Sequence, residues 1–210
     1  MELKHEVKSS VKDGELIEKR RDQIIEGAVR LFKEKGFHRS TTREIAKAAG
    51  FSIGTLYEYI RTKEDVLYLV CDTIYDQVQS RLSGIADEEA TIDGLKRAID
   101  VYYRLVDDLN DEFVVMYQES KSLPPKALEY VLEKERTMTG LFETLVRACA
   151  DAGELRISGP AIPLAAHHIV IQGQMWAFRR WAVQKLYTLD EYIGFQTEQL
   201  LNGLVKPAGE

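Results

Sequence analysis

Residues 41–60 read TTREIAKAAGFSIGTLYEYI, two very short amphipathic segments meeting at a glycine. A helix this short does not stand alone in water, because closing the first turn costs more than a few further hydrogen bonds return. Such segments persist only where a longer partner buries one face of each, so the stretch requires both a support and a reason for its shape. The preceding residues, LIEKRRDQIIEGAVRLFKEKG, supply the support: Ile24, Ile25, Ala28, Val29, Leu31 and Phe32 fall on one helical face, and Gly36 stops the run. In the second segment Thr41 stands three residues before Glu44, the spacing of a capping box, with Ile45, Ala46 and Ala49 inward and Gly50 as the stop. In the third, Phe51 precedes an N-cap at Ser52, and Leu56 and Tyr59 face inward.

Two short helices joined through a glycine turn and packed on a longer one form a helix-turn-helix, whose second short helix is sized for the major groove of DNA. Gly54, near the start of that helix, lowers helix propensity by roughly 1 kcal/mol without helping packing, which makes sense where the backbone must approach something closely. Arg43, Ile53, Thr55, Tyr57 and Lys63 around it offer donors and contact groups suited to phosphates and bases. An ordinary three-helix bundle is the bland reading, and Gly54 argues against it.

Charge supports two parts with different work. Residues 1–63 hold 14 Lys/Arg and 10 Asp/Glu, a net of +4, whereas 64–210 hold 14 and 24, a net of −10. A basic unit joined to an acidic body is what a nucleic-acid-binding module with a regulatory or oligomerising partner domain shows. Apolar spacings of three and four run nearly throughout and strand-like alternation is missing, so the fold class is all-α, with about nine helices. Beyond the first three, helices are expected at 63–83, 91–109, 111–121, 124–153, 160–185 and 189–204, punctuated by SGIADEE, SLPP, DAGELRISGP and LYTLD. The two cysteines, Cys71 and Cys149, lie in apolar helical patterns and read as buried free thiols, which fits a reducing cytoplasm. No uninterrupted apolar run of membrane-spanning length occurs, and the N-terminus has no signal-like segment.

The run GFHRSTTREIAKAAGFSIGTLYEYIRTKEDVL resembles the DNA-binding domain of the TetR family of bacterial transcriptional regulators, over about Leu16 to Leu67. The resemblance rests on Gly36-Phe37, the Thr pair, Ile45-Ala46, Ala49-Gly50, the Gly-Thr-Leu-Tyr of helix three and Lys63. It implies a dimeric repressor or activator on a palindromic double-stranded DNA operator. By the same resemblance Arg43, Ile53, Gly54 and Thr55 face bases, while Thr42, Tyr57, Tyr59 and Lys63 contact phosphates. Tyr59 carries two expectations, since its ring also faces inward. The expected organisation is a flexible arm at 1–15, a helix-turn-helix domain at 16–63, and a helical ligand-binding and dimerisation domain at 64–210. For the arm, a basic extension reaching DNA is the other reading.

In the larger part, Tyr102, Tyr103 and Val106, then Phe113, Met116 and Tyr117, then Met138, Leu141 and Phe142 form large, adaptable sets beside Trp176. They suit either an apolar ligand cavity or an ordinary core, and both readings stay open here. The candidate lining is Tyr103, Phe113, Met116, Tyr117, Met138, Phe142, Gln172, Trp176 and Arg179. MYQESKSLP and MWAFRRWAV are similar to segments of the TetR subgroup that senses fatty acyl-CoA and related thioesters, which implies such an effector. Arg104, Lys121, Arg179 and Arg180 would then face its phosphates, or serve as ion-pair partners at an interface. The family's dimer bundle uses helices eight and nine, and IVIQGQMWAFRRWAV with YIGFQTEQLLNGLV suits that. His167 and His168 point about 100° apart on a helix and do not make a metal site. No phosphate loop, nucleophile elbow or zinc spacing occurs, so no catalytic residue, metal or cofactor is assigned. The rival to a ligand-released repressor is a DNA-binding protein of the same fold that answers to a protein partner.

Overall fold

The computed structural model describes residues 7–88 and 91–202. Among them are ten α-helices: α1 Gly14–Lys35, α2 Thr42–Ala48, α3 Ile53–Tyr59, α4 Lys63–Glu88, α5 Ile92–Asp108, α6 Asn110–Glu119, α7 Pro125–Asp151, α8 Ala161–Phe178, α9 Arg180–Val183 and α10 Leu189–Asn202. A 3₁₀ turn at Ser120–Ser122 follows α6. The chain forms two compact units, one reaching Ile74 and taking in Asp111–Glu133, the other holding Tyr75–Asn110 and the described residues from Lys134 onward. The helices α4 and α7 contribute residues to both.

In the first unit the sequence signals act as expected. The Asp13 side chain accepts from Leu16 N–H to open α1, and Gly36, at φ 82°, closes it. Thr41 and Glu44 make both halves of the capping box on α2. This helix ends in a Schellman motif: Phe51 N–H donates to Ala46 O at 2.8 Å and Gly50 N–H, at φ 77°, to Lys47 O at 3.2 Å. Ser52 caps α3 by accepting from Thr55 N–H. Ile24, Ala28, Ile45 and Leu56 have no exposed surface, and each buried Leu or Ile contributes about 1.5–3 kcal/mol, which offsets the poor intrinsic stability of two seven-residue helices. Close approach of α1 and α2 runs over Gly27, where an added Cβ would lie 2.9 Å from Ala49 N and 3.0 Å from the Ala48 carbonyl carbon.

The described residues of the segment expected as a flexible arm over 1–15 make contacts within the first unit. Val7 is buried, Ser9 and Ser10 hydrogen-bond to Glu58, and α1 already begins at Gly14. Backbone carbonyls at the end of α3 need donors, and this segment supplies them.

In the second unit α5 and α8 meet at Gly173, whose absent Cβ would fall 2.7 Å from the Tyr102 ring and 2.9 Å from Tyr103. Tyr103 packs at 6.0 Å on Tyr192 of α10, and Tyr192 at 5.0 Å on Trp176. The helix expected over 160–185 is two helices. Arg179 leaves helical geometry at φ −110°, ψ 20°, its guanidinium lies 4.9 Å from the Trp181 ring, and Gln184 Nε2 donates to the Trp176 carbonyl freed at the break. Cys71 and Cys149 are buried free thiols. No helix among the described residues is long and apolar enough to cross a membrane.

The two kinds of glycine separate experimentally. Gly27→Ala should lower the urea midpoint by an amount equivalent to about 1–3 kcal/mol, because backbone must move aside. Gly140→Ala in α7, where nothing lies within 4 Å of the new Cβ, should raise it by about 0.4–1 kcal/mol. Equal midpoints for the two variants would contradict the close approach at Gly27.

Candidate DNA interface and effector region

The exposed edge of the first unit is built by the two caps. The N-terminal turns of α2 and α3 present Thr42 and Arg43, then Ile53, Gly54 and Thr55, with Arg43 and Gly54 exposed and the other three half-buried. Thr42 Oγ1 and Tyr57 Oη lie 3.1 Å apart, so the two helices share a hydroxyl pair at the surface, and Tyr57 is 50% exposed. Ser52 Oγ also lies 3.0 Å from Thr55 Oγ1. At Gly54 an added Cβ would meet only Ser52 Oγ, at 3.6 Å. The fold itself leaves room for a side chain there.

Two of the expected phosphate contacts are used inside the unit. Tyr59 is 4% exposed and belongs to the core, the inward of its two expected roles. Lys63 is half-buried, and its ammonium donates to the carbonyls of Phe37, His38 and Ser40 at 3.0, 3.3 and 3.2 Å while lying 4.4 Å from the Phe37 ring centre. An ammonium has three donors, so Lys63 spends them holding the turn between α1 and α2 rather than reaching outward. The other side of this turn is held by α6 and the 3₁₀ turn after it. Glu119 accepts from Phe37 N–H at 3.2 Å, and Ser122 Oγ lies 3.2 Å from His38 Nε2. Asp111 pairs with Lys33 at 2.5 Å. Glu119, Ser122 and the docked residues Val7, Ser9 and Ser10 were not found by sequence reasoning, because no local pattern links residues so far apart in the chain.

The expected effector lining is divided between the units. Phe113 and Met116 are buried in the first. Tyr117, expected beside them in an apolar lining, is instead 68% exposed, because its position on α6 points away from the packed face. Tyr103, Met138, Phe142 and Trp176 are buried in the second, where Phe142 lies 5.3 Å from Tyr102. Gln172 is half-buried, with its Oε1 enclosed and without a partner among the described residues, and Arg179 is exposed on its own Trp181. Missing from the expected set is a polar group in this core. Tyr75 Oη donates to Glu135 Oε2 at 3.1 Å, and burial first of all raises the Glu135 carboxyl above its ordinary range, with Tyr75, Gln174 and His167 pulling it down. Thr139, one turn along α7, has a buried hydroxyl without a partner among the described residues. Arg104 pairs with Asp100 and Asp190, which makes it an ion-pair partner within the unit. Among the described residues no group of three or more His, Cys, Asp or Glu could hold a metal ion.

Electrostatics of the capping box give a test of the α2 geometry. The Glu44 carboxyl is lowered from the ordinary 4.5 to about 2, first by its bond to the Lys35 ammonium and then by the Thr41 hydroxyl. A carboxyl lowered by folding adds stability above its unfolded value and loses it as pH falls through the folded one, here between about 4.5 and about 2. Side-chain NMR titration should therefore place Glu44 near the bottom of that window. In Lys35→Met the midpoint should rise toward 4.5, and an unchanged midpoint would remove Lys35 from the arrangement.

Comparison with known proteins agrees with this geometry. Residues 24–68 match the profile described as bacterial regulatory proteins, tetR family, and residues 88–171 match the tetracyclin repressor-like C-terminal domain. The HTH-type transcriptional regulator HbdR of Aromatoleum sp. (strain CIB) is 32% identical over 205 residues, 96% of this chain and 86% of that protein. A regulator of the tetR family from Rhodococcus RHA1 superposes with a TM-score of 0.78 at 25% identity, covering 88% of this chain and 96% of the other. AibR, solved in complex with isovaleryl coenzyme A and operator DNA, shares the fold with a TM-score of 0.74 at 18% identity, over 87% of this chain and 98% of its own. With its capped helix pair, its helical second unit and these relatives, the chain belongs to the TetR family of transcriptional regulators.

Proposed function

We propose that the protein is a repressor that binds a palindromic operator as a homodimer and is released from it by an apolar small molecule carrying a polar or anionic end, an acyl-CoA thioester being the first class to test. The observation that carries the DNA part is the exposed edge of α2 and α3, where Thr42 and Tyr57 share a hydroxyl contact at 3.1 Å and Gly54 presents bare backbone. In this reading Arg43, Ile53, Gly54 and Thr55 face bases and Thr42 and Tyr57 face phosphates. Residues 16–63 make up the reading module and 64–210 the effector and dimer domain. Lys63 acts from behind, by holding the turn that sets the angle of α2.

Dimerisation through α8 and α10 is supported by the apolar residues these helices leave in water, among them Leu164, Ile171 and Phe195, each more than half exposed. Gly194 of α10 has no atom within 4 Å of its missing Cβ, which leaves space for a facing helix. The effector class is supported by the aromatic core of α5, α7 and α8, and by AibR, whose structure contains isovaleryl coenzyme A. In this reading the effect of a ligand taken up among α5, α7 and α8 is passed on through α4, which begins at Lys63, whose ammonium holds the turn before α2. To shift operator occupancy it must favour the released state by roughly 1–3 kcal/mol of coupling.

Selection from random duplexes should return an inverted repeat with half-sites about one helical turn apart. On that duplex Arg43→Ala should cost about 1–3 kcal/mol and relax preference at one position, whereas Tyr57→Phe should weaken selected and unrelated DNA alike. Recovery of no inverted repeat would overturn the operator reading. Calorimetry against CoA, fatty acids and acyl-CoAs of several chain lengths, with and without the selected duplex, tests the effector. If none binds tighter than high micromolar, or if binding leaves operator affinity unchanged, the protein-partner reading replaces it.

A further inference from the structure

The segment before α1 is pinned to the end of the recognition helix by more hydrogen bonds than a loose tail requires. Ser10 N–H donates to the Glu58 carbonyl at 2.9 Å and the Ser9 hydroxyl donates to the same oxygen at 2.8 Å. The Arg21 guanidinium bridges outward from α1, donating to Tyr59 O at 3.3 and 3.4 Å and to Val7 O at 2.5 Å, and Val7 is buried beneath it. Burial is the first effect on Arg21 and lowers its pKa, with Asp65 opposing. Holding a guanidinium partly out of water to tie backbone oxygens of two segments together costs free energy, so the docked arm is a built feature of the unit.

Its position explains what it is built for. The carbonyls of Glu58 and Tyr59 stand at the last residues of α3 and carry the negative end of the helix dipole, beside the exposed Glu58 side chain. A recognition helix lying in the major groove has phosphates along both of its sides, and a bare carbonyl end facing them is repulsive. The arm covers those oxygens with N–H, O–H and guanidinium donors. It also adds Lys8, immediately before Ser9, and Lys12, two residues beyond Ser10, both exposed.

We propose that the docked arm, residues 7–13, is part of the DNA-binding surface, with Lys8 and Lys12 contacting the phosphates of the duplex that flank the half-site read by α3. This rests on the DNA-binding reading given above. The arm turns the carbonyl end of the recognition helix from a repulsive surface into an attractive one, and it adds affinity without adding sequence preference, since phosphates carry none.

The test is the salt dependence of binding, measured by fluorescence anisotropy on a duplex recovered by selection and on an unrelated duplex of equal length. Removing one lysine–phosphate pair makes the plot of log K against log salt shallower by about 0.9, so K8Q/K12Q should be shallower than wild type by roughly 1.8 on both duplexes. K8R/K12R, which keeps the charges, should retain the wild-type slope. K96Q/K126Q, the same charge change at two exposed lysines of α5 and α7, should retain it as well. A K8Q/K12Q slope equal to that of wild type overturns the proposal, as does an effect confined to the selected duplex. Wild type failing to bind any duplex would instead bring down the DNA-binding reading beneath it.

Discussion

The DNA-reading helices are set by the turn at 36–40, and by one ammonium group in particular. Lys63 sits over the Phe37 ring and donates to three carbonyls of that turn. Phe37 is itself buried and meets Phe32 edge-on at 5.2 Å, while its N–H is taken by Glu119. The turn thus fixes the end of α1, the start of α2, the first residue of α4 and the last of α6 in one place. Two helices of seven residues have little stability of their own, so their angle is whatever this packing dictates. A change in how α4 or α6 meets the turn changes how α2 and α3 stand.

How much of this was legible depended on the range of the interaction. Caps and stops are local, and Thr41, Glu44, Gly36, Gly50 and Ser52 all serve as their spacing implies. The inward faces of α1, α2 and α3 were legible for the same reason. The break at Arg179 was not, because neither glycine nor proline marks it; it is stabilised by Gln184 reaching back to Trp176 and by stacking of Arg179 on Trp181. The bonds from Lys63 to the turn were not legible, since its carbonyl partners lie more than twenty residues earlier in the chain. The arm at 7–13 read as a tail because its composition is polar and aperiodic, yet composition carries no information about carbonyls near residue 58 that need donors.

The second unit poses a different constraint. Tyr102 and Tyr103 rest against the backbone of Gly173 so closely that even a methyl group would displace them, and Phe142, Trp176 and Tyr192 close around the rings. On α7 nearby, burial raises the Glu135 carboxyl, and one turn on the buried Thr139 hydroxyl has no partner among the described residues. Buried polar groups of this kind carry a cost that a hydrogen-bonding ligand would relieve, while the aromatic rings would have to move to admit it. A ligand admitted among these particular rings would have to move α5 against α8, so its binding there would be coupled to conformation.

Gly54 is what separates a DNA-reading module from a helical bundle that merely looks like one. Gly27 is required by its own fold, since Ala48 and Ala49 occupy the space a side chain would need. Gly54 is under no such demand: a Cβ there would meet a single serine oxygen at ordinary contact distance, on an exposed turn of helix, at a cost in helix propensity of roughly 1 kcal/mol relative to alanine. The helix is less stable for carrying it, and nothing inside the protein is gained. In the proposed reading the requirement comes from DNA, approaching the start of α3 more closely than a methyl group allows, with the hydroxyls of Thr42, Thr55 and Tyr57 around it as donors.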